Sequence, residues 1–193
     1  MSDRPPAQAP SLAGQVLIAM PGIGDPRFDH AVVVMCAHTP EHAMGLALNR
    51  PVDGLTVPSL LERLGVESTI ELPEELVLFG GPVERERGFV LHTDDYLCAD
   101  SSMPVARGVA LTATREILQF MADDRRPRRS MLALGYAGWG PGQLEKEILE
   151  SVWLTCDPDE ALLFGDDYDN KWALALAKIG VSAGMLSSQA GRA

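Results

Sequence analysis

Two histidines and a glutamate lie close together in the segment His38-Thr39-Pro40-Glu41-His42, and these residue types could bind a metal. Their order matches the H-x-x-E-H pattern of inverted zinc proteases, where both histidines hold zinc from one helical face and the glutamate acts as base. Here the segment follows a β-branched run, and Pro40 pushes Thr39 away from helical backbone angles. The sequence therefore predicts a loop between two strands, with no metal site and no cofactor.

Two glycine-containing turns could hold a phosphate group, at residues 21–24 (PGIG) and 79–82 (FGGP). Neither has the spacing of a Walker A loop, and neither is a dinucleotide-binding G-x-G-x-x-G that opens a helix. Tight turns or close backbone contacts explain both segments more simply. A phosphate role for glycines such as Gly80 and Gly81 stays open as the alternative.

His92 follows the apolar run GFVL and could serve as a general base. The chain has no G-x-S-x-G segment from which a serine nucleophile could be inferred. A single histidine at the end of a strand is more often a hydrogen-bonded structural residue. We therefore name no catalytic residue, and we keep His92 as a candidate binding residue.

The most informative segment is residues 134–147 (LGYAGWGPGQLEKE), which combines four glycines with Tyr136 and Trp139. It is predicted to leave a strand, turn, and enter a helix whose free N–H groups could hold an anion. The aromatic rings could stack on a planar ligand or anchor a partner, or Trp139 could simply fill the core. Gln143 and Glu145 are two residues apart, about 200° around a helix, so they are not expected to face one site.

These segments are set among short predicted strands and helices. Strands are expected at residues 15–20, 31–37, 44–48, 76–79, 88–92, 105–111, 131–134 and 152–155, and helices at 56–64, 113–122, from 141 onward and at 170–179. Strict βαβ alternation is absent, which disfavours a doubly wound sheet. The pattern favours a single α+β domain with a mixed or antiparallel sheet and flanking helices, and adjacent strands could curl into a partial barrel.

The 193-residue chain is acidic, with 16 basic and 27 acidic residues and a net charge of −11. Such a surface repels a phosphate backbone, so direct nucleic-acid binding is disfavoured. The strongest local exception is a cluster of arginines, Arg125, Arg126, Arg128 and Arg129, which follows two aspartates. This cluster is either a solvated turn or a contact for an anion or an acidic partner.

The cysteine count and the absence of long apolar runs indicate the compartment. Cys36, Cys98 and Cys156 are odd in number and far apart, which disfavours a disulfide framework and a thiolate zinc site. No apolar run reaches the roughly 18–20 residues of a membrane helix, and the proline-containing start does not resemble a signal peptide. We expect a disordered tail at residues 1–13, a single domain at 14–193, no membrane contact and a cytoplasmic location.

Five blocks of the sequence resemble the YqgE/AlgH family of bacterial proteins. The blocks are residues 14–38 (GQVLIAMPGIGDPRFDHAVVVMCAH), 43–51 (AMGLALNRP), 80–92 (GGPVERERGFVLH), 135–148 (GYAGWGPGQLEKEI) and 172–180 (WALALAKIG). They keep their order and span nearly all of residues 14–193. One departure lies at Gly191-Arg192-Ala193, where the family usually has a histidine between the glycine and the alanine.

The resemblance implies a bacterial cytosolic protein with a bifurcated sheet that folds into a pseudo-barrel. Family members are labelled transcriptional regulators, and the resemblance implies no particular reaction. The family motif maps onto Asn49, Arg50, Pro51, Gly80, Gly81, Pro82, Gly88, His92, Tyr136, Gly138, Trp139, Gln143 and Glu145.

The leading hypothesis is a non-catalytic binding or regulatory domain that recognises a small anionic ligand or a protein partner. Arg50 would supply the charge and the helix start would supply backbone donors. The candidate binding residues are Asn49, Arg50, Gly80, Gly81, His92, Tyr136, Gly138, Trp139 and Gln143.

Two alternatives belong to other functional classes. A DNA-binding transcriptional regulator conflicts with the net charge of −11 and with the lack of a recognisable helix-turn-helix. An enzyme with a histidine-based site would require His92, Arg50 and Glu145 to converge in one pocket.

Overall fold

The computed structural model describes residues 10–96 and 100–187, which form ten strands and six α-helices. The strands are β1 (Val16–Ala19), β2 (Val32–His38), β3 (Ala43–Ala47), β4 (Pro51–Thr56), β5 (Leu76–Phe79), β6 (Val83–Thr93), β7 (Ser102–Ala106), β8 (Val109–Thr112), β9 (Ser130–Trp139) and β10 (Trp153–Cys156). The helices are α1 (Val57–Arg63), α2 (Arg115–Met121), α3 (Gln143–Leu149), α4 (Glu160–Phe164), α5 (Lys171–Lys178) and α6 (Ala183–Ser187).

The strands form one sheet that divides at β9. The main order is β10-β1-β2-β3-β9-β6-β8-β7, and β4 joins through β5. Along one edge β9 pairs with β6; along the other it pairs first with β5, in parallel, and then with β3, antiparallel. The sheet curls into a half-barrel, which confirms the predicted α+β class and bifurcated sheet.

Helix α5 covers the sheet with the apolar face that the sequence predicts. Trp172, Ala175 and Leu176 are buried, and the Trp172 indole donates a hydrogen bond to the Ala19 carbonyl oxygen over 2.8 Å. The sequence predicts Asp169 as the N-cap of this helix. The N-cap is instead the next residue, Asn170, and its side chain makes no capping hydrogen bond. Packing of the buried face on β1 and β2 therefore holds this helix in place.

The sequence predicts that Leu64 belongs to the buried apolar stripe of α1 and Leu149 to that of α3, and both predicted stripes extend too far toward the helix ends. Leu61 and Leu144 are buried, but Leu64 is 39% exposed and Leu149 is 86% exposed. Both exposed leucines lie at the end of their helix, as the C-cap of α1 and the last residue of α3. Helical spacing alone did not reveal where each helix stops contacting the sheet.

Residues 105–111, predicted as one strand, belong to a hairpin. Strands β7 and β8 are joined by a two-residue turn in which Gly108 has a φ of +75°. Glycine adopts this left-handed conformation without the steric cost that a side chain would add. The apolar residues on both sides of the turn made the segment resemble a continuous strand.

Part of the predicted tail contacts the domain. Residues 1–9 lie outside the described residues, as do Cys98 and the final Gly191-Arg192-Ala193. Leu12, inside the predicted tail, packs against a buried cluster that includes Trp139 and Trp153. No helix formed by the described residues combines the length and apolar character that crossing a bilayer needs.

Candidate functional site

Strand β9 continues through the glycine-rich segment, so the prediction that the chain turns directly after Leu134 is wrong. Ala137 pairs with Gly45 and Trp139 pairs with Ala43 on β3. Gly135 takes up a local irregularity with a φ of +71°. Because Ala137, Gly138 and Trp139 each pair with a residue of β3, the backbone stays in the sheet until Trp139.

One carboxylate, that of Glu147, organises the start of α3. Its Oε2 accepts hydrogen bonds from the indole nitrogens of Trp139 (2.9 Å) and Trp153 (2.8 Å). Its Oε1 accepts from Gln143 Nε2 over 2.8 Å, and Gln143 Oε1 accepts from the Gly140 N–H over 3.1 Å. Gln143 therefore stabilises the turn before the helix, and the Trp139 indole nitrogen is bonded within the protein.

Glu145 has a different partner from Gln143, as their spacing predicted. Its Oε1 lies 2.8 Å from His38 Nε2, while His38 Nδ1 accepts the Leu12 N–H over 2.9 Å. We assign the proton to Nε2, because Nδ1 must accept a hydrogen bond. The hydrogen bond from the Glu145 backbone N–H lowers the pKa of the Glu145 carboxyl, and the contact with His38 lowers it further. Desolvation opposes this shift.

The H-x-x-E-H segment forms the predicted loop between β2 and β3. His38 contacts Glu145, whereas His42 Nδ1 lies 3.2 Å from Thr39 Oγ1 in the loop. Within residues 10–96 and 100–187, no group of three or more His, Cys, Asp or Glu side chains could hold a metal ion. The two histidines thus have separate structural contacts.

His92 is fully buried and uses both ring nitrogens. Nδ1 donates to the Thr93 carbonyl oxygen (2.8 Å), and Nε2 accepts from Thr112 Oγ1 (2.7 Å). The Thr112 hydroxyl also contacts Ser102 Oγ, over 2.8 Å. Desolvation lowers the pKa of His92 below its usual value, which favours the neutral ring. The residue therefore links three neighbouring strands inside the protein.

Asn49 and Arg50 bind the loop that precedes β2. Asn49 Oδ1 accepts the Val32 N–H over 3.0 Å, and its Nδ2 donates to the His30 carbonyl oxygen over 2.9 Å. The Arg50 guanidinium donates to the Asp29 carbonyl oxygen. Both side chains fix this loop to the end of β3.

Gly80 and Gly81 lie where the chain passes closest to β9. A Cβ on Gly80 would lie 2.3 Å from the Gly135 carbonyl oxygen, and one on Gly81 would lie 2.1 Å from the Tyr136 carbonyl carbon. No side chain fits between two backbones at that distance. The glycine pair therefore permits close packing of two backbones, which is the simpler explanation of this segment than a phosphate-binding loop.

Three of the candidate residues, Tyr136, Gly138 and Trp139, do line one cleft, with a volume of about 590 Å³. The wall is mainly apolar, and the Phe89 and Tyr136 rings meet edge to face at 5.6 Å. Residues from β3, β6, β7, β8 and β9 supply most of the remaining wall, among them Met44, Val83, Met103 and Leu111, and Ala113 follows β8.

The polar or charged side chains at this cleft are those of His42, Glu84, Arg87 and Ser101, in addition to the Tyr136 hydroxyl and the Trp139 indole nitrogen. Arg87 lines it, with its guanidinium carbon 5.1 Å from the centre of the Phe89 ring and a 3.4 Å contact to Glu84. Ser101 also lines it, and its Oγ is buried without a hydrogen-bond partner among the described residues. Sequence reasoning missed Arg87 and Phe89, although both lie in a block that carries the family resemblance.

Comparison with known proteins agrees with this fold. The AlgH-like family model matches residues 16–184. A UPF0301 protein of Caulobacter vibrioides strain NA1000 is 63% identical over 183 residues, 94% of each chain. A UPF0301 protein of Bradyrhizobium diazoefficiens is 49% identical over 196 residues, 98% of this chain and 92% of that protein.

Solved structures match the same architecture. The solution structure of the AlgH protein from Pseudomonas aeruginosa aligns over the whole of both chains, with a TM-score of 0.75 and 36% identity. Protein DIP2367 from Corynebacterium diphtheriae has a TM-score of 0.68 over 87% of this chain and 86% of its own, and at 18% identity it supports the fold alone. These matches define an α+β protein with a forked, half-barrel sheet. The chain belongs to the AlgH-like family.

Proposed function

We propose that this protein is a non-catalytic binding domain whose cleft receives the apolar body of a small molecule. The observation that carries the proposal is the cleft itself, where Tyr136, Gly138 and Trp139 meet an apolar wall built from four further strands. Its volume of about 590 Å³ lies in the range of small-molecule sites, roughly 300–1,000 Å³.

The lining favours a ligand with an apolar or aromatic body and an anionic head group. Met44 and Met103 offer adaptable side chains, and Phe89 and Tyr136 offer ring faces and edges. Arg87 and the Ser101 hydroxyl supply donors for the head group. Arg87 replaces Arg50 in this role, because Arg50 is bound to Asp29.

The two alternative functions receive less support. His92, Arg50 and Glu145 contact Thr112, Asp29 and His38 respectively, so the site that an enzyme would need is not assembled from them. The four clustered arginines, which are the strongest local exception to the acidic surface, each meet a carboxylate, namely Asp123, Glu75 or Glu160. A cytoplasmic location remains a prediction, and the free, buried Cys36 and Cys156 are consistent with it.

Methyl NMR of the methionines tests the cleft directly. Protein labelled with [ε-¹³C]methionine is screened against small aromatic and aliphatic carboxylates and sulfonates. We expect saturable shifts of Met44 and Met103, which line the cleft, with Met121, in a buried cluster that shares no residue with the cleft lining, as the internal control. Saturable binding that shifts only the Met121 methyl would place the ligand elsewhere and contradict the proposal.

Filling the cleft supplies a matched pair of variants. In Gly138→Val the new Cβ meets the Tyr136 ring at 3.4 Å and Val83 at 3.6 Å, an ordinary contact, and the added methyls occupy the cleft. Gly88→Val adds the same atoms on β6 in open space, away from the cleft. We expect at least tenfold weaker binding in the first variant only, equivalent to about 1.4 kcal/mol.

The charge of the head group is tested in the same way. Arg87→Gln should weaken binding of an anionic ligand and leave binding of its neutral amide analogue unchanged. Arg85→Gln removes the same charge from the same strand at a residue outside the cleft. Equal losses in both variants would show a general charge effect and would remove Arg87 from the site.

A further inference from the structure

A second cavity, distinct from the proposed ligand cleft, lies between β5, the start of β9 and the α4–α5 region. It has a volume of about 790 Å³ and a largely polar wall. Four of its lining side chains are cationic and three are acidic, so the lining alone has a formal charge of +1 in a chain of net charge −11. Glu160, outside the lining, pairs with two of the cationic side chains. The cationic residues are Arg126, Arg128, Arg129 and Lys171.

Lys171 is the most unusual of these residues, since its side chain is only 2% exposed. Nζ donates to the carbonyl oxygens of Leu48 (3.1 Å) and Gly165 (2.7 Å), and no carboxylate of the described residues lies within ion-pair distance. Buried ammonium groups are normally paired with an anion. Desolvation lowers the pKa of Lys171 to about 8, against the opposing effect of nearby Asp166 and Asp167.

Further donors on the same wall are not fully used. Arg126 makes one side-chain hydrogen bond, from Nη2 to Glu75 over 3.2 Å, and Arg129 makes one, from Nε to Glu160 over 3.3 Å. Their remaining guanidinium N–H groups make no hydrogen bond to the described residues. The Ser130 hydroxyl is buried and has no partner there either.

We propose that this cavity binds a phosphate group, either inorganic phosphate or the phosphate of a monoester, against Lys171, Arg126, Arg129 and Ser130. A carboxylate has two oxygens, whereas a phosphate can accept hydrogen bonds from several guanidinium, ammonium and hydroxyl donors at once. The anion would also supply the buried ammonium with a counter-ion. Two residues of the arginine cluster would then contact an anion. An anion contact is the functional role that the sequence leaves open for this cluster, beside that of a solvated turn.

The first test is a titration with inorganic phosphate, followed by ¹H–¹⁵N NMR at constant ionic strength. We expect saturable shifts of the backbone amides of Ser130, Gly165 and Lys171, and no matching shifts with chloride. Non-saturable changes, or the same changes with chloride, would overturn the proposal. A parallel titration with phenyl phosphate distinguishes the two sources, since tighter binding there indicates that a monoester is the ligand.

Different variants are expected to change the phosphate affinity in opposite directions, so an effect on binding can be distinguished from a general loss of structure. Arg129→Gln and Ser130→Ala should each weaken phosphate binding about tenfold, as expected for losing a donor to a charged group. Asp166→Asn removes a repelling carboxylate from the cavity and should tighten binding several-fold. Arg85→Gln, which is outside the cavity, should have no effect.

Equal affinities in Arg129→Gln and Arg85→Gln would overturn the proposal, as would weaker binding in Asp166→Asn. The test is independent of the proposed apolar ligand. Gly138→Val fills only the other cleft, so phosphate affinity should be unchanged in that variant.

Discussion

At the scale of single residues, Glu147, within the block of residues 135–148, connects several side chains by hydrogen bonds. Its carboxylate accepts from two indole nitrogens and from Gln143. Trp139 is one of these donors and also lines the proposed ligand cleft. The carboxylate therefore fixes the orientation of one wall of the cleft without lining it.

Glu147→Ala leaves the indole N–H groups of Trp139 and Trp153 without an acceptor. An unsatisfied buried donor costs about 1–3 kcal/mol, so we expect a loss of roughly 2–4 kcal/mol in the free energy of unfolding. Urea denaturation followed by tryptophan fluorescence measures this loss. Glu150→Ala, at the exposed end of the same helix, is the matched control and should change stability by less than about 0.5 kcal/mol. Similar losses in the two variants would contradict the assigned role.

At the scale of elements, the fork in the sheet depends on a backbone crossing. Strand β9 is flanked by β6 on one edge and by β5 and β3 on the other, and the connection from β5 to β6 passes directly against it. Gly80 and Gly81 provide the space for that passage. The crossing also fixes Tyr136 of β9 and Phe89 of β6 relative to each other, so it shapes the cleft.

Gly80→Ala should disturb this crossing, because its Cβ would lie 2.3 Å from the Gly135 carbonyl oxygen. Overpacking of this kind costs about 1–3 kcal/mol, which corresponds to a fall of roughly 2–12 °C in the thermal midpoint. Thermal unfolding by circular dichroism measures the shift. Gly88→Ala has open space on β6 and should keep or slightly raise the midpoint. A midpoint unchanged in Gly80→Ala would show that the crossing can relax.

At the scale of the whole molecule, Lys171 links stability to pH. Its ammonium joins α5 to the end of α4, through Gly165, and to the end of β3, through Leu48. Burial lowers the pKa of Lys171 from 10.5 to about 8 in the folded protein. Between these two values the unfolded chain binds the proton more strongly than the folded chain does. The contribution of Lys171 to stability therefore rises as the pH rises through this window.

Comparison of the native protein with Lys171→Met tests this linkage. From pH 7.5 to 9.5 we expect the free energy of unfolding of the native protein to gain about 2 kcal/mol relative to the variant. Titrating groups common to both proteins, including the cysteine thiols, cancel in that difference. Parallel pH profiles would mean that Lys171 keeps an ordinary pKa in the fold. Phosphate-free buffer keeps this measurement separate from any bound anion.

The sequence predicted most of the elements, because their signals are local. Strand β2 is a β-branched run, and α5 has apolar residues at helical spacing. The opposite orientations of Gln143 and Glu145 also followed from helical geometry. By contrast, β9 was predicted five residues too short at its C-terminal end, because Gly135 and Gly138 suggest a turn but lie within the strand, where Gly138 pairs with Met44 of β3.

The candidate site was predicted in part. Tyr136, Gly138 and Trp139 line the cleft, whereas Asn49, Arg50, His92 and Gln143 bind other parts of the protein itself. A motif residue that binds a ligand and one that stabilises a turn can be identical in type and spacing. Their difference lies in which partner the fold brings within hydrogen-bond distance.

By itself, the sequence predicted the α+β class and the family, and residues 134–147 were its most informative segment. Those conclusions rest on periodicity, composition and motif order, which are properties of neighbouring residues. Only the tertiary structure decided that this segment is a strand with one side on the cleft and its following helix anchored by Glu147. It also decided that Lys171 is buried with no carboxylate of residues 10–96 or 100–187 within ion-pair distance. Both outcomes depend on contacts between residues far apart in the chain, which no local pattern encodes.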